Sequence, residues 1–443
     1  MPNEVVSVIK EDLLVLGYTL EDADKIIKRY PLVLKYNFET IKLKMNGMEK
    51  LGYEKKEVLG MVKLFPTILS FNTDTLSKKI EEVMELGYTR EETLQMYKFF
   101  PGLVCLSSET KKQKMKEFIE LGYSLEDALF IMKANPRIFG YKIETIKQKI
   151  EDFKKFGYSK PDILKMTKEA PILLTYRLDG LQERIHELET LGFTRSESMR
   201  FTRINPKFLS AGLDRFESVV NSFMELGYTR EELIKMIKLT PQIYRISVDC
   251  LKNKINNLVS LGYTQKEVLK MTKSYPMILL NSEETIRQKV DDITTLGYTK
   301  EEVLGLINVS PSLLTLSTDT IKNKMNHMIN LNYSKEEVID MTIGLPSIYE
   351  MSLENIERKL GFYESIGLRS CIVKYPKNLI QSIELSYARY EYFKSIHYKL
   401  DENNFRKLFM EVKRFNEFFG VSKESLLNRY SYSEYLDKKQ LKK

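Results

Sequence analysis

The sequence predicts an all-α solenoid of ten 35-residue helix–turn–helix repeats closed by a helical C-terminal cap, and three observations predict it. Glycine recurs at Gly17, Gly52, Gly87, Gly122, Gly157, Gly192, Gly227, Gly262 and Gly297, every step being 35 residues, and Asn332 alone breaks the column in the tenth unit. Proline keeps the same step at Pro31, Pro66, Pro101, Pro136, Pro171, Pro206, Pro241, Pro276, Pro311 and Pro346. Between the two columns, apolar residues run at helical spacing behind capping residues. A period of 20 to 50 residues marks units that bury a hydrophobic face only against their neighbours. Function is therefore expected along a surface and not in a pocket.

Residues 262–296 show one unit in full. Thr264 with Glu267 forms a capping box, the hydroxyl accepting from a free backbone N–H while the carboxylate reaches back, so a helix starts there. Thr229 with Glu232, Thr299 with Glu302, Ser334 with Glu337, Thr89 with Glu92 and Ser124 with Asp127 give the same start or a close variant. Val268, Leu269 and Thr272 mark its buried stripe. The helix must end before Pro276, which lacks an N–H and drives Tyr275 away from helical dihedrals. Ile278 and Leu279 then form a short apolar plug. Ser282 caps a longer second helix whose Ile286, Val290, Ile293 and Leu296 face the core, and Gly297 ends it in the left-handed conformation. Tyr298 and its equivalents Tyr18, Tyr53, Tyr88 and Phe193 are expected to plug the junctions between units.

Composition agrees with a folded array: 43% of residues are hydrophobic and 29% charged, with no sign of disorder. Cys105, Cys250 and Cys371 are odd in number and in no metal-ligand spacing, which argues against disulfides or a zinc site and for a reducing compartment. No apolar run approaches the ~18 residues of a membrane span. The repeat register already fits from Glu4, where Val6, Leu13 and Leu16 complete a half-repeat. It is expected to leave no room for a cleaved presequence in the chain as given.

The unit is not the 34-residue tetratricopeptide pattern, which needs a tryptophan-containing first helix; this chain has no Trp. The segments Leu226–Met236 (LGYTREELIKM), Pro276–Glu284 (PMILLNSEE) and Thr320–Leu331 (TIKNKMNHMINL) carry a different likeness. They make the chain resemble the mitochondrial transcription termination factor (mTERF) family over about residues 4–366. The resemblance implies a right-handed superhelical stack of helical units and, as in characterised members, binding of double-stranded nucleic acid along a basic groove. Organellar members usually carry a transit peptide and more degenerate repeats. These regular repeats, starting at once, lead instead to the expectation of an intracellular, cytoplasmic protein.

The formal charge of +8 is unevenly spread: residues 361–443 hold 16 Lys and Arg against 10 Asp and Glu, leaving 53 against 51 for residues 1–360. Within the array two cationic rows stand out. The first is Lys44, Lys79, Lys114, Lys149, Arg184, Lys254, Lys289, Lys324 and Lys359, broken only by Val219. The second is Lys28, Lys63, Lys98, Lys133, Lys168, Arg203, Lys238 and Lys273, lost at Asn308 and Ile343. A residue repeated once per unit forms a line along stacked helices ~8–10 Å apart, so either row could track a phosphate backbone and release its counterions. The competing reading is that both flank the apolar stripe, where lysine covers hydrophobic surface with its methylenes and keeps its ammonium in water. A third row, Lys42, Lys112, Lys147, Lys252, Arg287 and Lys322, lies about 160° from the first on the helical wheel, so the two cannot line one groove. Acidic residues such as Glu231, Glu232, Glu301 and Glu302 sit in first turns, where they favour the helix dipole.

No catalytic constellation emerges. His186, His327 and His397 are scattered, no glycine-rich phosphate loop appears, and Met61, Met96, Met166, Met236, Met271 and Met341 share one repeat position that suits packing. A monomer without catalytic activity, cofactor or metal is expected. The expected partner is double-stranded DNA, with RNA as the other nucleic acid; the alternative is a scaffold for a protein or peptide. The domain boundary is placed at residue 366, with residues 367–443 as a basic, Tyr-rich cap. Phe405, Leu408, Phe409 and Val412 keep helical spacing there. Tyr387, Tyr390, Tyr392, Arg406, Lys407, Lys413 and Arg414 form a second candidate anchor for nucleic acid, while Lys438, Lys439, Lys442 and Lys443 read as a solvated end.

Overall fold

The computed structural model describes residues 3–176 and 179–434; the four C-terminal lysines lie outside them. All regular elements among the described residues are α- or 3-10 helices. They fall into two compact units, Met1–Ser218 and Val219–Lys443, and the same three-part repeat builds both.

In the unit read above, Thr264 Oγ1 accepts from the Glu267 N–H at 3.3 Å, and the Glu267 carboxylate accepts from the Thr264 N–H at 2.8 Å. These contacts start the first helix, Gln265–Ser274. Tyr275 then turns to φ −139°, ψ 76°, and Pro276–Leu280 form a 3-10 turn, the tight helical form suited to short pieces. Ile278 and Leu279 are buried in it. Ser282 Oγ accepts from the Thr285 N–H at 3.0 Å and opens the second helix, Glu283–Thr294, whose Ile286, Val290 and Ile293 are buried. Gly262 and Gly297 follow second helices at φ +122° and +113°, where a side chain is strained. Asn332 holds the equivalent place at φ +66°, a conformation asparagine tolerates.

Within each compact unit, first helices pack on the first helices of the next repeat and second helices on second helices. The methionine position is buried at Met61, Met96, Met166, Met236, Met271 and Met341, in keeping with packing. The junction tyrosines are buried too. Where the next repeat offers threonine 44 residues on, the hydroxyls meet: Tyr123 with Thr167, Tyr158 with Thr202 and Tyr228 with Thr272 at 2.6 Å, and Tyr298 with Thr342 at 2.5 Å. Burial pushes the Tyr123, Tyr158 and Tyr228 hydroxyls up to about 12.

Two places depart from the regular unit. After Pro206 the plug becomes one α-helical turn, Phe208–Ala211, running through Gly212 into Leu213–Glu225. Gly212 turns the chain there at φ +72°, where a side chain is strained, with the guanidinium of Arg184 3.0 Å from where a Cβ would sit. Past residue 366 the helix–plug–helix order continues as Arg369–Lys374, Pro376–Ile380 and Ile383–Ser395. Its first helix has only six residues, which is why Pro376 comes early in the register. Phe405–Phe409, Val412–Phe419 and Lys423–Arg429 complete the described tail.

Candidate nucleic-acid interface

The first cationic row lies on the second helices and is turned toward the next repeat. Lys44 Nζ donates to the Phe71 carbonyl at 3.2 Å, Lys79 to Leu106 at 3.4 Å, Lys289 to Leu316 at 2.7 Å and Lys324 to Tyr349 at 2.6 Å. Lys254 and Lys359 donate likewise to Asn281 and Leu379. Each acceptor is in, or just after, the next 3-10 turn, whose last carbonyls have no partner within the helix. Lys114, buried, donates to Glu117 at 2.8 Å, and Arg184 pairs with Glu187. Lys149 is half-buried in the same line. Burial lowers the ammonium groups of Lys289, Lys324 and Lys359 from the usual lysine value. The sequence offers this row either to phosphates or as cover for the apolar stripe; six of its cations also bridge one repeat to the next, because a cation one helix away is the nearest donor for an uncapped turn.

The second row lies on the first helices and pairs backward. Lys63 meets Asp22 at 2.6 Å, Lys133 meets Glu92 at 2.7 Å, Arg203 meets Asp162 at 3.6 Å and Lys273 meets Glu232 at 2.7 Å; Lys98 pairs with Glu57 and Lys168 with Asp127. Every partner is the third residue of a first helix, 41 positions earlier. Asn308, where the row loses its charge, keeps the contact by donating to Glu267 at 3.1 Å. The lysine hydrogen bonds hold the carboxyls of Asp22, Glu57, Glu92, Asp127 and Glu232 below the ordinary range, helped by the capping N–H groups. These cations are a third to a half exposed, but each carries its own carboxylate. Lys28 is exposed and Lys238 partly so.

The third row faces solvent. Lys42, Lys112, Lys147, Lys252, Arg287 and Lys322 are all exposed. Arg287 pairs with Glu283 one turn earlier at 2.7 Å, Lys112 with Glu85 at 3.3 Å, and Lys42 stands 5.6 Å from the Phe38 ring. Stacking thus decides between rows on opposite sides of one helix: the first is turned inward and the third outward.

In the tail, Arg406 is exposed over the Tyr375 ring at 5.0 Å and Lys413 is exposed. Tyr387 and Tyr390 stand against Phe362 at 6.1 and 6.0 Å, so these tyrosines take part in the cap's packing. Sequence reasoning missed Arg389. Buried among the cap elements, it donates to the Leu408 and Met410 carbonyls at 3.0 and 2.6 Å and stacks 4.1 Å from the Phe415 ring, and burial lowers it to about 10. Its place at helical spacing, four residues from Leu385 and four from Phe393, was the available signal.

Sequence reasoning also missed a cavity of about 630 Å³ in the first unit, lined by Phe99, Phe130, Asn135, Arg137, Ala170 and Lys207 among others. Its signal was the residue before each repeat proline. That position is Tyr30, Phe65 and Phe100 in the first three repeats, then Asn135 and Ala170.

Among the described residues no group of three or more His, Cys, Asp or Glu side chains is placed to hold a metal ion, and no helix is long and apolar enough to cross a membrane. The family model described as mTERF matches residues 1–146, 117–260 and 251–385, three overlapping stretches that take in most of the sequence. No curated protein matches the chain.

Proposed function

The chain belongs to the mTERF family, and from that premise we propose that it binds duplex DNA through its exposed third row and acts in transcription, in termination or its regulation. Membership supports nucleic-acid binding by a repeat protein. The observation that carries the finer reading is the run Lys252, Arg287 and Lys322, exposed on the consecutive second helices Val248–Ser260, Glu283–Thr294 and Thr318–Asn330. Those helices pack in succession, which sets the cations ~8–10 Å apart, a spacing a phosphate backbone can follow. The second row is a secondary contact in this reading, since six of its cations are tied to carboxylates of the preceding repeat, whereas Arg287 meets a carboxylate on its own exposed helix, Glu283, and a phosphate need displace only that one. The first row contributes by holding the second helices in line.

Two triple variants test this in the full chain. Lys252→Gln/Arg287→Gln/Lys322→Gln should keep the parent's melting curve, weaken binding to any duplex, and flatten the slope of log affinity against log salt by about 0.9 per lost contact. Lys254→Gln/Lys289→Gln/Lys324→Gln should instead lower stability. Unchanged duplex affinity in the first variant, or no duplex binding by the parent at low salt, would overturn the reading. A second reading, a scaffold for a protein partner, is favoured by the pairing of the second row, which leaves the first-helix face near neutral.

A further inference from the structure

The cavity in the first unit arises from a local change in the repeat. Where Tyr30, Phe65 and Phe100 stand before their prolines, the next two repeats carry Asn135 and Ala170, and both line the opening. Asn135 is held back from the space by donating to Thr175 Oγ1 at 3.0 Å. The irregular turn Phe208–Ala211 supplies the far wall. The volume, about 630 Å³, lies in the range that holds bulky organic groups.

Its lining has two chemistries. Phe99 and Phe130, 66% and 46% exposed, and Ile172, 40% exposed, present apolar surface to solvent, more than a solenoid needs for its own packing. Arg137 and Lys207 are exposed beside them and Arg215 adds a third cation, against the single carboxylate of Glu169. Anionic groups are favoured at the edge and apolar ones within. The apolar surface also continues outside the cavity: Leu64, 55% exposed, holds in the preceding repeat the position that Phe99 holds in its own. A ligand meeting both must be extended and carry several apolar groups along one chain, which a peptide does and a mononucleotide does not.

We propose that this cleft docks a peptide segment of a partner protein, one that alternates acidic residues with bulky apolar ones, an apolar side chain entering between Asn135 and Ala170 while carboxylates meet Arg137 and Lys207. The site is separate from the DNA contact on the second helices and adds a protein partner to it.

The test is fluorescence anisotropy on the full chain with a labelled synthetic peptide alternating Asp with Phe and Leu, beside the same peptide with Asn for Asp. The acidic peptide should bind and the amide peptide should bind at least about tenfold more weakly. Asn135→Phe/Ala170→Phe, which restores the aromatic column and fills the space, should lose the peptide. Arg137→Glu/Lys207→Glu, a surface change that leaves the core alone, should lose it as well while its circular-dichroism melt stays that of the parent. The proposal is overturned if the folded charge-reversed variant binds as the parent does, if the amide peptide binds equally, or if duplex DNA displaces the peptide from the parent and not from the Lys252→Gln/Arg287→Gln/Lys322→Gln variant.

Discussion

Residues 18–105 and residues 123–211 run through the same unit three times each, yet they seal it differently. In the first stretch the residue before the proline is aromatic: Tyr30 is buried and bonds Tyr36 through its hydroxyl at 3.0 Å, and Phe65 and Phe100 lie half-buried against the turns. The ring of Phe100 comes within 3.1 Å of the Cβ site on Gly102 and 3.6 Å of that on Gly140, so it spans two successive plugs. The second stretch has Asn135, Ala170 and Asn205 there, and a cavity opens. It also ties its junctions by buried hydroxyl pairs, Tyr123 with Thr167 and Tyr158 with Thr202. In the first stretch, Tyr18 faces a repeat with Val62 in place of threonine and its hydroxyl has no partner, while Tyr88 donates to the Leu129 carbonyl. One repeat can therefore be closed by aromatic bulk or by paired polar groups, and the second solution leaves room for a ligand.

The largest effect expected from breaking this contrast is at Phe100. Phe100→Ala should cost about 2 kcal/mol in a denaturant melt, less than the ~3–5 kcal/mol of a fully buried phenylalanine because the ring is half-exposed. The reverse change, Ala170→Phe, should fall within about 1 kcal/mol of the parent, since the added ring enters existing space. Equal losses for the two would show that the stretches are packed alike.

A smaller effect is expected at the hydroxyl pairs. Thr167→Val leaves the buried Tyr123 hydroxyl unpaired and should cost about 1 kcal/mol. Val62→Thr offers Tyr18 the partner it lacks, so it should change stability by no more than about 0.5 kcal/mol, in contrast to the usual loss on burying a hydroxyl. A large loss at Val62→Thr would mean that backbone spacing, and not side-chain identity, separates the stretches.

The smallest contrast is expected in acid, because both stretches share the second row. The carboxyls of Asp22, Glu57, Glu92 and Asp127 are held below their usual values by their lysines. A lowered folded value means that the unfolded chain takes up protons first, so this stabilisation is complete above the ordinary carboxylate range and is lost as pH falls through the lowered values. Hydrogen exchange followed from neutral pH into that range should show first-helix amides of both stretches losing protection together. Loss confined to residues 125–211 would assign the acid sensitivity to the cavity instead.

The repeat length, the all-α class, the capping boxes, the proline turns and the left-handed glycines were all legible in the sequence. Each depends on groups within about four residues of one another, so a local pattern carries it. The same local reasoning found three cationic rows and could rank none of them by exposure. The partner of Lys289 lies 27 residues on, at the Leu316 carbonyl, and that of Lys273 lies 41 residues back, at Glu232. Only the stacking of one repeat on the next brings such groups together.

The sequence by itself determined what each unit is, because helix starts and stops are written in residues that act on their own neighbours. Tertiary structure decided what each unit does with its charges: the first row became a lock, the second a chain of ion pairs, and the third remained in solvent. It also decided that two small residues at an aromatic position would leave a cavity, since a missing side chain makes space only when the surrounding helices are held apart by the repeats on either side.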